Sequence, residues 1–462
     1  MTRIHWPLHE PSARLSFWLL SVFLVILCIA GGASRADVSG QAVVRFFAWS
    51  FLAVFVLFSP RFDWHRIKYL AIFMALVIFL VGLQLVPLPP VLWTALPGRE
   101  LLIGAAEVIG ETQPWRPLSI SPSATANALG SLVVPVTVLV LCANLSRRQH
   151  WRIAQLLLGL VFLSCIVALL QFSGSQFDNP FVNYQRGMVS GNFANRNHLA
   201  LFAAIGCVFV PVWGFGGGRQ TKWKALAAVA VLPFFLLVIL ATGSRAGLVL
   251  GCLAVAAGFL SVRDAAVHEL RTFPRWAVIA AIGSFVAVLS GVLVLSFALG
   301  RAAGLDRVIN LQTGDDLRSQ ALPNIFSAIE TYFPAGSGFG TFDPVYRIGE
   351  PDALLQPLYL NHAHNDWLEI VLDGGLPALI LLSVALYWFA LAALRAWRTR
   401  REKRDLARPA SATLFIIMLA SLPDYPARTP LIMAIVVLAF VWLSAAPAQA
   451  RPGSASQNRI PR

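Results

Sequence analysis

The chain of 462 residues is 57% hydrophobic and only 13% charged, and its formal net charge is +14. A soluble protein of this length would carry about twice that share of charged residues, so an ordinary globular enzyme is excluded. Apolar runs of 17–25 residues recur along the whole chain. Each is long enough to cross about 30 Å of hydrocarbon as a helix, and the sequence therefore predicts an all-α, polytopic membrane protein.

Twelve apolar segments are candidate spans. Their approximate ranges are 16–33, 43–59, 68–88, 124–145, 151–172, 198–214, 223–242, 245–262, 276–299, 367–394, 410–423 and 429–446. The range 410–423 is short, and we expect it to be tilted or half-inserted. The five cysteines all lie inside apolar runs and are interpreted as packed small hydrophobes: Cys28, Cys142, Cys165, Cys207 and Cys252.

Lysine and arginine are distributed unevenly between the two sides of these spans. With a cytoplasmic N-terminus, the cytoplasmic segments hold 24 of the 36 basic residues, and the 12 on the other side are all arginine. This is the positive-inside pattern, and it favours topogenic charge over nucleic-acid binding as the origin of the net charge. The pattern predicts an even number of spans with both termini in the cytoplasm.

The predicted organisation has four parts. Residues 1–299 hold nine spans, residues 300–366 a large external loop, residues 367–446 three spans, and residues 447–462 a disordered cytoplasmic tail. Within the loop, apolar residues at helical spacing predict an amphipathic helix that lies on the membrane surface or caps the bundle. They are Leu322, Ile325, Phe326, Ile329 and Phe333. Since proline is tolerated only near a helix start, we expect this helix to begin close to Pro323.

Two histidines stand where the external loop enters span ten. His362 and His364 belong to HAHND, which directly precedes the apolar run. A neutral imidazole can take a proton from a hydroxyl, and a carboxylate can hold it in the right tautomer, so a general base is the favoured interpretation. A metal site is weaker, since alternate positions diverge on a helix and only His198 is available as a further external histidine. The structural alternative is a histidine pair hydrogen-bonded to loop backbone.

Three external arginines lie near the membrane. Arg245, in ATGSRAG, stands between two apolar runs with almost no loop, where a guanidinium costs roughly 2.5–3.5 kcal/mol on insertion scales. Arg196 precedes span six, and Arg318 begins the amphipathic segment. Guanidinium groups make bidentate contacts to phosphate, so the three together predict an anion site. The alternative for each arginine is a structural ion pair or a helix cap.

A glycine-rich stretch, GSGFGTF (336–342), has glycine at alternate positions. It lacks the Lys-Ser/Thr of a P-loop and the spacing of a dinucleotide fingerprint. The pattern predicts a turn with close backbone approach, and an anion-binding nest of N–H groups is a second interpretation.

Five segments together resemble the O-antigen ligase and O-antigen polymerase family of bacterial envelope glycosyltransferases. In chain order they are PLSISPSAT (117–125), GNFANRNHLA (191–200), TGSRAG (242–247), the stretch from Arg318 to GSGFGTF (318–342) and HAHNDWLEIVLDGGLP (362–377). The resemblance covers about residues 117–395 of the chain. It implies a GT-C-like glycosyltransferase in the bacterial inner membrane, with its large loop and its active site facing the periplasm.

The resemblance also implies a reaction and its partners. Family members take a glycan from undecaprenyl diphosphate. Ligases attach it to lipid A–core, and polymerases attach it to another lipid-linked repeat. A single displacement with inversion and without a metal or other cofactor is expected, within a membrane assembly that includes other envelope polysaccharide proteins.

Roles for individual residues follow from the same resemblance. Arg196, Arg245 and Arg318 are at the positions that hold the diphosphate. His364 is at the position of the base, and His362 is at a more variable position of the family. The residues expected to support the site are Asn365, Asp366, Glu369, Gly338 and Gly340.

Two other classes of function stay open at this point. A flippase or transporter for the same lipid-linked glycan would be expected to show inverted repeats and broken spans in matching halves, and the sequence shows no internal repeat. A structural scaffold would leave Arg245 uncompensated. Ligase, polymerase and protein O-glycosylation enzymes share the donor chemistry, and sequence does not separate them.

Overall fold

The computed structural model describes residues 10–59, 62–175, 177–182, 188–216, 222–271, 276, 283, 317–355, 360–399 and 405–445. Apart from residues 276 and 283, the candidate span 276–299 lies outside these ranges. So do the first part of the large loop, residues 300–316, and the tail 447–462.

The described chain is almost entirely helical. Its first half forms α1 (Glu10–Ala30), α2 (Ser39–Phe58), α3 (Lys68–Leu83), α4 (Pro90–Thr94), α5 (Glu100–Val108), α6 (Pro122–Ser131), α7 (Val133–Cys142) and α8 (Arg147–Phe172). Two-residue strands β1 (Pro87–Leu88) and β2 (Arg116–Pro117) pair antiparallel around α4 and α5. The second half forms α9 (Arg196–Phe215), α10 (Lys222–Ala241), α11 (Arg245–Ser261), α12 (Arg263–Leu270), α13 (Leu317–Tyr332), α14 (Phe342–Ile348), α15 (Asp366–Arg398), α16 (Ala407–Ala420) and α17 (Pro430–Ser444).

The long helices match the predicted spans. Within the described ranges, seven helices are long and apolar enough to cross a membrane: α1, α2, α6 with α7, α8, α9, α10 and α15. The pair α11 and α12, bent by 79°, makes an eighth if it counts as one span, and α3, α16 and α17 are shorter apolar helices. The chain is therefore an all-α polytopic membrane protein. The count of twelve spans and the GT-C-like arrangement stay predictions, because span 276–299 lies outside the described residues.

Helix α9 lies at the centre of the bundle. Of its most apolar 18-residue window, 94% is buried inside the protein, so it packs on all sides as a helix without a polar face must. Helices α8, α10, α11 and α16 surround it. Helix α11 approaches closely because residue 247 is glycine: a Cβ there would lie 2.5 Å from the Cβ of Ala200. This contact, near the starts of both helices, brings their N-termini side by side.

Long-range hydrogen bonds show which helix ends meet. Ala194 donates its N–H to the carbonyl of Gly32 (3.1 Å), and Asp366 donates to that of Ser421 (3.0 Å). The starts of α9 and α15 thus lie with the ends of α1 and α16, at what we term the loop end. At the opposite end, Gln149 Nε2 donates to the carbonyl of Ala13 (2.9 Å). This antiparallel arrangement agrees with the alternation used to assign the basic residues.

The predicted amphipathic helix is α13, but its buried face differs from the one expected. Ala321, Ile325 and Tyr332 are buried in a small second core with α14 and the start of α15, whereas Phe326 and Phe333 are 50% and 41% exposed. Helix α13 also begins six residues before Pro323, at Leu317, so the expected start close to the proline was wrong. The helix tolerates Pro323 because the ring removes only one backbone bond near its N-terminal end.

Helix α15 is broken at Gly375. Its backbone there has φ 57° and ψ −148°, a left-handed conformation that favours glycine. A Cβ at this position would collide with the carbonyl oxygen of Pro334, which instead accepts the N–H of Leu376 (2.9 Å). The break separates a short polar segment, Asp366–Gly374, from the long apolar part of the helix.

Candidate active site

A buried carboxylate, Asp424, joins two parts of the chain at the loop end. It lies between α16 and α17 and is 3% exposed. Asn195 Nδ2 donates to both of its oxygens (3.1 and 3.0 Å), and Asn197 Nδ2 donates to Oδ2 (2.6 Å). Because Asn195 also caps α9 through its side-chain oxygen, the carboxylate is held rigidly at the start of the central helix.

Two imidazoles face this carboxylate. Nδ1 of His364 lies 3.5 Å and Nε2 of His198 lies 3.6 Å from Oδ1 of Asp424. His198 is only 2% exposed, whereas the His364 side chain is 15% exposed and so has access to a ligand. The carboxylate can therefore hold both rings, and His364 is the one able to meet a substrate.

The backbone holds His364 in an unusual conformation. Its φ is +49°, the one left-handed non-glycine residue among those described, and such strain is concentrated at functional sites. Directly after it, Asn365 caps α15 by accepting the N–H groups of Trp367 (3.0 Å) and Leu368 (3.1 Å). The cap and the turn together fix the direction of the imidazole.

Tyr425 packs against all three histidines of the site. Its ring centroid lies 4.4 Å from that of His362, 4.8 Å from His364 and 5.4 Å from His198. An aromatic ring between imidazoles restricts their rotation and excludes water from the side of the rings that it covers.

A second polar cluster lies beside the first. Arg428 reaches three buried carboxylates on one face of α15, with distances of 3.1 Å to Glu369, 3.5 Å to Asp366 and 3.5 Å to Asp373. Burial lowers the pKa of Arg428, but the charges of Glu369, Asp373 and Asp366 outweigh it and raise the pKa above its ordinary value. Glu369 also pairs with Nδ1 of His362 at 2.8 Å.

Replacing Arg428 by alanine is expected to destabilise the protein by about 3–5 kcal/mol, because three buried carboxylates lose their common cation. Arg428→Lys should lose less, since it keeps the charge without the planar fork. The free energy of unfolding in mixed micelles checks this. Arg347→Ala is the matched control, because the exposed ion pair of Arg347 with Asp343 contributes less than about 0.5 kcal/mol to stability. Equal losses in the two alanine variants would contradict the assigned network.

The glycine-rich stretch is a tight turn that wraps around Asp373. The N–H groups of Gly338 (2.9 Å) and Gly340 (3.0 Å) donate to the backbone oxygen and the side chain of Asp373, and that of Phe339 donates to Gln84 Oε1 (2.9 Å). Gly336 and Ser337 donate to backbone carbonyls. All five consecutive N–H groups are thus used within the protein, and the interpretation as an anion-binding nest was wrong. Left-handed φ values explain the glycines at 336, 338 and 340.

The predicted arginines lie at helix starts of the loop end. Arg196 and Arg245 are the first residues of α9 and α11, the two helices brought together at Gly247 and Ala200. Arg245 is exposed and Arg196 partly exposed. Arg318 is the second residue of α13, and its side chain lies outside the described part of the structure. The motifs of Arg196, Arg245 and His364 therefore share one end of the bundle.

The carboxylate beside His364 was missed by sequence reasoning. Asp366 and Glu369, the expected candidates, are tied to Arg428, and Asn365 serves as a helix cap. Asp424 takes that place. The available signal was the segment SLPDYPARTP, which puts an aspartate and an arginine between two short apolar runs on the side where charge is scarce.

The surroundings of Asp424 affect its titration. Burial alone would raise its pKa, but hydrogen bonding and positive charge from His198 and His364 outweigh burial and hold the pKa well below the ordinary value of 3.8. Because the pKa of Asp424 is lower in the folded than in the unfolded protein, the carboxylate stabilises the fold at pH values above its unfolded-state pKa. This stability is lost as the pH falls through the folded-state pKa.

Asp424→Asn is therefore expected to lower stability near neutral pH and to flatten its dependence on pH below about 4. The unfolding temperature of the detergent-solubilised protein, followed from neutral to acidic pH, measures both effects. Asp264→Asn, a change at an exposed carboxylate of α12, serves as control. If the unfolding temperature of Asp424→Asn fell with acidification as it does in the unmodified protein, Asp424 would not be the group that links stability to pH.

Among the residues that the structure describes, no group of three or more histidine, cysteine, aspartate or glutamate side chains is arranged to hold a metal ion.

Comparison with known proteins adds one match. A family model described as O-antigen ligase matches residues 227–383, about a third of the chain. The matched range contains Arg245, the glycine-rich stretch and His364, and it ends before Asp424. No curated protein matches the chain.

Proposed function

We propose that this chain, a member of the O-antigen ligase and polymerase family, transfers a glycan from undecaprenyl diphosphate to a sugar hydroxyl of an acceptor. The observation that carries the proposal is the position of His364. It faces the buried carboxylate Asp424 at the same end of the bundle where Arg196 and Arg245 begin α9 and α11.

The chemistry follows from these groups. With a proton on Nδ1 directed at Asp424, the other ring nitrogen of His364 accepts the proton of the acceptor hydroxyl. The hydroxyl oxygen forms a bond to the anomeric carbon while the bond to the diphosphate breaks, and the electron pair leaves with the diphosphate. Arg196 and Arg245 stabilise the charge that develops on this leaving group. A single displacement of this kind inverts the anomeric configuration.

Charge distribution supports a site that faces the periplasm. The loop end is the side that holds the smaller share of basic residues, 12 of 36, which is the translocated side under the positive-inside rule. We therefore assign the protein to the bacterial inner membrane, with membrane lipid around it and the donor entering from the outer leaflet.

The acceptor is either lipid A–core, which defines a ligase, or a second lipid-linked glycan, which defines a polymerase. Glycan profiles of a deletion strain separate the two. Long chains should disappear while single repeats stay on the core if the protein is a polymerase, and polymer should accumulate on the lipid carrier if it is a ligase. An unchanged profile of every envelope glycan, with the purified protein inactive on undecaprenyl-diphosphate donors, would refute glycan transfer.

A further inference from the structure

A further loop-end arginine, Arg45, lies inside a membrane span. Arg45 is six residues into α2, or about 9 Å along the helix axis. Its side chain is partly buried, and its Nε has no hydrogen-bond partner among the described residues. A guanidinium at this depth is costly unless an anion or a water-filled cavity compensates it.

The neighbouring helices supply no such anion. Helices α2, α3, α6 and α7 contain no aspartate or glutamate, and the carboxylate of α1, Glu10, stands at the first residue of that helix, at the opposite end of the bundle. The charge of Arg45 therefore has no carboxylate partner on its own helix or on the helices packed beside α6. An anion from outside the protein is the natural counter-charge.

Helix α6 lies on the other side of this site, with Gly130 and Asn127 on the face towards Arg45. Gly130 lies directly across from Arg45, where a Cβ would come 3.5 Å from Nη1. One turn earlier on the same face stands Asn127, which is partly exposed and whose side chain makes no hydrogen bond within the described structure. One turn after Arg45 on α2, Trp49 is 64% exposed on the lipid-facing surface. The site thus opens sideways to lipid.

This site is connected to the candidate active site but separate from its arginines. Thr125, half a turn before Asn127, donates its hydroxyl to the carbonyl of Phe339 in the glycine-rich stretch (2.8 Å). Helices α2 and α6 pack against α1, α3 and α7, whereas α9 and α11, which begin with Arg196 and Arg245, pack against each other and against α10 and α16.

We propose that Arg45 and Asn127 bind a phosphate of a second lipid, the lipid A portion of a lipid A–core acceptor. This inference rests on the proposed function and adds a separate acceptor subsite to it. Donor and acceptor lipids then enter from different sides of the bundle, and their sugars meet at His364. Arginine binds the phosphate as a charged donor, and the amide of Asn127 adds a neutral one.

Binding of three lipid probes to the purified full-length protein tests the proposal. The probes are diphosphorylated lipid A, undecaprenyl diphosphate and phosphatidylglycerol, with inorganic phosphate as a further arm. Arg45→Ala and Gly130→Leu, which fills the groove, are expected to weaken lipid A binding at least about tenfold and to leave undecaprenyl diphosphate binding unchanged. Arg35→Ala, which alters an exposed loop-end arginine paired with Asp37, should change neither.

The acceptor subsite is overturned if Arg45→Ala leaves lipid A binding unchanged, or if it weakens phosphatidylglycerol as much as lipid A. It is also overturned if inorganic phosphate alone binds in an Arg45-dependent way and displaces lipid A. Undecaprenyl diphosphate binding by Arg245→Ala is a separate result. Unchanged binding in that variant would contradict the proposed function and would not bear on the Arg45 site.

Discussion

Replacing His364 by alanine is expected to lower the rate of glycan transfer about 10²–10⁴-fold, the usual contribution of a positioned general base. Binding of the undecaprenyl-diphosphate donor should be unchanged, because in the proposed mechanism the imidazole acts on the acceptor hydroxyl and not on the diphosphate. Single-turnover transfer with purified protein, together with donor affinity, separates the two effects. Added imidazole should restore part of the rate, since alanine leaves space where the ring stood.

His362→Ala is the matched control for this prediction. It removes the neighbouring imidazole, which is held by Glu369 at 2.8 Å and packs against the ring of Tyr425 with the centroids 4.4 Å apart. We expect a loss of less than about tenfold for this variant, because it does not touch Asp424. If His362→Ala were the more damaging change and His364→Ala kept near-normal turnover, the base would be His362.

Loss of the arginine pair at the starts of α9 and α11 is the second large effect. Arg245→Ala is expected to reduce kcat/KM for the donor about 10²–10³-fold, because a preorganised cation stabilises the departing diphosphate. Arg196→Ala should act in the same direction. Arg245→Lys should recover only part of the activity, since a lysine offers a point charge in place of a planar fork.

Arg148→Ala, at an exposed arginine of α8 near the opposite end of the bundle, is the control. It should transfer glycan at the normal rate. Steady-state kinetics with a varied donor concentration measure the loss in each variant. Normal donor kinetics in Arg245→Ala, at normal expression and with a normal elution volume, would remove Arg245 from the diphosphate site.

The two predictions together depend on how the loop end is built. His364 and Arg245 belong to segments separated by more than one span, yet both lie around the N-terminal end of α9. The buried group that connects His364 to the start of α9 is Asp424, which accepts hydrogen bonds from Asn195 and Asn197 and faces His364. Substitutions at Asp424 should therefore act through the position of His364.

Much of the architecture could be predicted from sequence alone. Apolar run length sets which segments cross a membrane, and the bias of lysine and arginine sets their direction, because both depend only on local composition. The same reasoning predicts His364 and Arg245 at one membrane edge, and the structure brings their segments to one end of the bundle. It also identified the O-antigen ligase resemblance that the family match confirms.

Only the tertiary structure determined which carboxylate pairs with the arginine and which faces the imidazole. Asp366 and Glu369 are near His364 in sequence, but helix α15 turns them towards Arg428, while Asp424, 60 residues later, faces the imidazole. Spacing along one chain cannot reveal a pairing made between separate helices. The same holds for the glycine-rich stretch, whose N–H groups look free in sequence and are all bound once α3 and α15 pack against it. Buried polar groups must find partners, and only the packed bundle determines which ones.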